Sequence, residues 1–166
     1  MQMFAESVTL GVVLVSMACS ANAGPVEDLS GILSNRQGSS SEDRRSDVKT
    51  LGVKTGCRGD TLESTVRITG VSGEMSGDTA VMTVSYSGSY TRQGWDIPCQ
   101  KVSSNLGGVE NRSVYGKYSF RVTGKAFQKP TITWGSVSEV GEVASPSHDA
   151  NVFAVRAVQS AIASAF

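Results

Sequence analysis

The chain has 166 residues, enough for one ordinary domain and too few for two. Fifteen basic residues balance fifteen acidic ones, so no net field draws the whole molecule to nucleic acid. Charged residues make up only 18%, against 18 Gly and abundant Ser and Thr, a mixture that suits strands and turns better than helices.

Residues 1–23 read as an export signal. "SVTLGVVLVSMA" is the apolar stretch, and Ala21-Asn22-Ala23 gives a small-x-small cleavage pattern before Gly24. The preceding "MQMFAES" carries no Lys or Arg, a departure from the usual basic start. Cys19, in "SMAC", is a candidate lipidation site, with Ser16 where the bacterial lipoprotein box has Leu. An exported protein is expected, periplasmic or secreted, with a membrane tether through Cys19 as the alternative. A lipid there would be its one link to a membrane.

Residues 24–47 read as a flexible polar linker. "NRQGSSSEDRRSD" has no apolar periodicity and too little apolar surface to offset the cost of ordering. "VEDLSGIL", just before it, supplies at most one helical turn.

From Val48 the texture becomes that of a β domain, 48–166. "STVRITGV" alternates Val66 and Ile68 with Arg67 and Thr69, the period of a half-buried strand. "SGEMSGD" reads as a Gly-rich loop. "TAVMTVSYSGSYT" is the strongest strand, with Val84, Tyr86 and Tyr90 on one face. "RQGWDIPCQ" reads as a turn leading to a short strand at Cys99, and "SSNLGGVENRS" as a loop carrying an Asn111-Arg112-Ser113 glycosylation triplet. "VYGKYSFRVTGKAF" and "PTITWGSVSEVGEV" alternate again. The sum is a mainly β fold, a small antiparallel sandwich or barrel of about five to seven strands. After "SPSH" the period becomes helical. Val152, Val155, Val158, Ile162 and Phe166 form a stripe over about 149–165, with Asp149 as N-cap and Phe153 on the opposite side.

Once Cys19 leaves with the signal or takes a lipid, Cys57 and Cys99 remain. Two cysteines in an exported chain point to one disulfide, which stabilises by about 4 kcal/mol in the chain-entropy picture. Their spacing fits neither a zinc site nor a CxxC redox site.

The residues give little footing for catalysis. His148 is the one histidine, and its setting at a helix start suits a solvated residue. No catalytic residue, cofactor or metal is expected. A carboxylate pair from Asp78, Asp96, Glu110 and Glu139 supplies the enzymatic alternative, a small carbohydrate-active enzyme. Arg58-Gly59-Asp60 spells an integrin-binding tripeptide, but the chemistry of "GCRGDT" is first that of a tight turn held beside Cys57. Tyr86, Tyr90, Trp95 and Trp134 are, with that tripeptide, the candidate contacts for a protein partner or a carbohydrate. Nucleic acid is not expected. The reading is an exported, non-catalytic binding or assembly module of the cell envelope, with a secreted adhesin as the alternative.

Overall fold

A computed structural model describes residues 25–96, 99–101, 108–124, 130–142 and 148–166. The expected signal, Cys19 included, lies outside the described residues.

The chain opens with helix α1, Pro25–Leu33. Proline is favoured in the first turn because its missing N–H has no intrahelical partner there, and Glu27 and Asp28 face the positive helix end. Asn35, in the left-handed region at φ 62°, ends it. Leu29 and Leu33 are buried. Strand β1, Gln37–Asp43, then pairs antiparallel with residues 61–67. The segment expected to be a flexible linker is therefore an ordered helix and strand. A few apolar contacts and a full ladder hold it, which its polar composition concealed.

Six further strands follow: β2 (Ser46–Thr50), β3 (Val53–Ser76), β4 (Thr79–Asp96), β5 (Gln100–Lys101), β6 (Val109–Thr123) and β7 (Thr131–Glu142). They form one antiparallel sheet in the order β1-β3-β4-β6-β7, with β2 beside the start of β3 and β5 beside the end of β4. The sheet curls into a half-barrel, and helix α2, His148–Ala163, lies in its hollow. The expected fold class is borne out.

Strands run well past their expected ends. β3 extends through the "SGEMS" that reads as a loop, and only Gly77 and Asp78 turn into β4. β4 takes in Trp95, and Asn111 sits within β6, its Oδ1 accepting from Thr91. Ladder pairing with β4 carries residues 72–76 and Asn111, and Trp95 pairs with both Gly59 and Lys101, so these polar stretches need no burial of their own.

The core lies between the hollow of the sheet and the helices. Leu62, Val66, Ile68, Met82, Val84, Tyr86, Tyr90, Val114, Tyr118, Phe120 and Val122 line the sheet side. From α2 come Ala150, Phe153, Ala154, Ala157, Val158, Ala161 and Ile162. Phe153 is at the centre of this buried stripe, not opposite it, while Val152 and Val155 are only partly covered and Phe166 is exposed. The reason is spacing. A Cβ placed on Gly38 of β1 would overlap the Ala157 carbonyl and sit 2.5 Å from the Ala161 nitrogen, so helix and strand touch backbone to backbone. Ala157 and Ala161 permit that approach.

Charge fixes the same junction. Arg44 donates to Glu42 at 2.8 Å and to Asp149 at 3.2 Å, and Arg156 donates to Glu42 at 2.9 Å. Both guanidiniums lie over the Phe153 ring, and Ser40 Oγ donates to the Phe153 carbonyl at 2.7 Å. The arginines hold the Glu42 carboxyl below its ordinary range. Asp149 thus serves the first turn as an ion-pair partner inside the helix instead of as its N-cap.

Candidate functional site

Cys57 and Cys99 form the expected disulfide, with Cα atoms 4.6 Å apart. It joins β3 to the turn that leads into β5, which closes the end of the sheet where Arg58, Gly59 and Asp60 lie.

That tripeptide is not a turn. Arg58 pairs with Ser46 of β2, Gly59 with Trp95 and Asp60 with Gly94 of β4, so all three lie within strand β3 and in a ladder. Gly59 has φ 132°, and a Cβ there would overlap the Arg44 carbonyl, which accounts for the glycine. Asp60 accepts from Arg92 at 2.7 Å. Arg58 is exposed while Asp60 is engaged across the sheet, so the two do not converge at a loop tip.

Trp95 is half-buried and held on all sides. Its Nε1 donates to Thr61 Oγ1 at 2.8 Å, and its ring lies 4.2 Å from the Arg45 guanidinium and 5.6 Å from the Lys101 ammonium. It packs the end of the sheet together. Tyr86 and Tyr90, expected as contact residues, are buried in the hollow instead. The alternation that marked their strand had them on the core side, and the helix covers that side. Burial, with Asp149 and Glu110 nearby, pushes the Tyr90 hydroxyl up to about 12. Tyr86 is raised by burial as well.

The carboxylates do not assemble as a pair from the positions that can be compared. Asp78 sits at the β3–β4 turn, whereas Glu110 pairs with Arg92. From Thr79 to Arg92 is roughly 40 Å of strand, against separations below about 10 Å in glycosidases. The side chains of Asp96, Glu139 and His148 lie outside the described residues.

Trp134 is different. It is 43% exposed on β7, the last strand of the sheet, whose outer edge has no strand beside it among the described residues. Its pairing with β6 is irregular: Phe120 faces Trp134 and Tyr118 faces Val137, so the ladder slips around Gly135 and Ser136. A bulge of this kind bends the strand and re-aims its side chains. Gly135 belongs to it by necessity, since a Cβ there would overlap the Ser119 carbonyl. The Tyr118 hydroxyl accepts from Gln159 of α2 at 3.0 Å and reaches the Gly135 carbonyl of the bulge at 3.5 Å. Beside it is a pocket of about 260 Å³ lined by Val81, Phe120, Arg121, Thr133 and Trp134. An edge with no strand beside it among the described residues, an exposed indole and a pocket therefore meet on one strand. Sequence reasoning found Trp134 but not this juxtaposition, because nothing local marks β7 as the final strand.

No family model, curated protein or solved structure matches the chain.

Proposed function

We propose that the protein is an exported, non-catalytic binding module of the cell envelope that captures an extended segment of a partner protein along β7. The β7 edge beside the Trp134 pocket carries this reading. Unpaired N–H and C=O groups supply main-chain hydrogen bonds for an added strand, and an adjacent pocket selects one of its side chains. "TITWGSVSE" suits the task, being rich in β-branched residues and free of Lys and Pro, two residues that blunt edges. The disulfide is consistent with an oxidising, exported compartment.

Site-specific photo-crosslinking in the native host tests this. A photoreactive residue at Thr133 should give a discrete protein adduct, and Ser136→Pro should abolish it by disrupting the strand at the bulge, where proline cannot donate to a ladder. The same probe at Thr65, inside the sheet, should give none. Adducts from Thr133 that persist with Ser136→Pro and Trp134→Ala would sink the reading. An adduct confined to Arg58 would favour the adhesin alternative.

A further inference from the structure

Beyond the β7 site, a second feature stands out at the far end of β3. Strands β2 and the start of β3 form a hairpin arm whose side chains from Ser46 to Thr55 are exposed, apart from half-buried Val48. Leu51 and Gly52 make its two-residue turn, with φ of 52° and 80°. Both values are positive, the type I′ geometry that favours Asn-Gly. A leucine there is in a disfavoured conformation, and Leu51 is also 99% exposed. Val53, next to the turn, is 67% exposed. Lys49 pairs directly with Lys54, two like charges facing each other across the hairpin.

Three locally unfavourable choices thus fall within six residues, on an arm that is otherwise well braced. Thr55 Oγ1 donates to the Val48 carbonyl and lies 3.2 Å from Thr50 Oγ1; Lys54 pairs with Asp47 at 2.8 Å. The disulfide at Cys57 anchors the base. The arm is held out as a stiff apolar point with a basic collar.

We infer that this hairpin tip inserts into an anionic lipid surface, with Leu51 and Val53 entering the acyl boundary and Lys49 and Lys54 meeting headgroup phosphates. One environment then relieves both the apolar exposure and the lysine pair. The arm carries Lys49, Lys54 and Arg58 against Asp47 alone, in a chain that is neutral overall, so its charge complements an anionic surface. A protein partner fits less well. Two apolar side chains on a convex tip fall far short of the ~800 Å² per side of a standard interface, whereas a bilayer requires no matching shape.

The test is co-sedimentation of the full chain, disulfide intact, with vesicles of phosphatidylglycerol and phosphatidylcholine in equal parts, and with phosphatidylcholine alone. Binding should require phosphatidylglycerol and weaken with salt. Leu51→Asn suits the turn better than leucine does, so it should keep or raise Tm while weakening binding roughly tenfold. Lys49→Gln with Lys54→Gln should weaken it by a further order of magnitude. Val53→Trp places a reporter at the tip, and its emission should shift to the blue on anionic vesicles alone. Residues 1–23 are common to all variants, so these differences belong to the arm. Equal binding by Leu51→Asn, or an emission unmoved by phosphatidylglycerol, overturns the inference. A protein crosslink at Leu51 without vesicle binding overturns it in favour of a protein groove. None of these outcomes bears on the β7 edge, which is probed separately.

Discussion

The two sides of the half-barrel are built to different tolerances. Where α2 crosses β1, Gly38 meets helix backbone and the helix presents alanines, so each atom is constrained by a neighbour. At β7 and along the β2–β3 arm, large apolar side chains stand in solvent: Trp134, Leu51 and Val53. The contrast separates two uses of apolar residues. On the covered side they hold the fold, and substitution is felt as stability. On the open side they contribute little to stability, and substitution there should be felt in the proposed contacts instead.

Substitutions of matched size break or sharpen this contrast most directly. Phe153→Ala should destabilise by about 3–5 kcal/mol, as for other buried aromatics, read as a lower urea midpoint at an unchanged slope. Removing the disulfide with Cys57→Ser and Cys99→Ser should cost about 4 kcal/mol, which would show whether the arm's base depends on covalent closure. Gly38→Ala should cost about 1–3 kcal/mol, because the added methyl meets backbone that cannot turn aside. Should Gly38→Ala prove neutral, the close helix–strand contact is wrong.

Tyr90 adds a smaller, pH-dependent effect. Its hydroxyl titrates at about 12 when folded, against about 10 in an unfolded chain. Between those values the unfolded state releases a proton that the folded state keeps. The contribution is thus complete below about pH 10 and lost as pH rises towards 12. Urea midpoints should fall across that window, and Tyr90→Phe should flatten the fall. The smallest effect belongs to the open side: Trp134→Ala should change stability by about 0.5 kcal/mol or less, measured in the same titration. A cost near that of Phe153→Ala would show that Trp134 supports the core, and would remove the reason to assign it to a partner.

Much of the fold was legible because alternation is a local property. Val66 and Ile68, or Tyr118, Phe120 and Val122, announce a strand and its buried face without reference to the rest of the chain. The disulfide was legible from count and context. What failed were judgements that depend on neighbours. "NRQGSSSED" looks like a linker until β3 lies beside it, since a ladder accepts polar side chains as long as its N–H and C=O groups are paired. The RGD tripeptide looks like a turn until β2 pairs with Arg58 and β4 with Gly59 and Asp60.

The same boundary applies to the proposed sites. By itself the sequence determined a mainly β domain, a C-terminal helix, one disulfide and a small set of aromatic residues. Only the tertiary structure decided which aromatics are core and which are surface, because exposure depends on what the helix covers. It also decided that β7 is the last strand of the sheet among the described residues and that Leu51 occupies a left-handed turn position at the tip of an arm. Periodicity reports which residues share a face. It carries no information about whether that face, or that edge, meets another part of the chain.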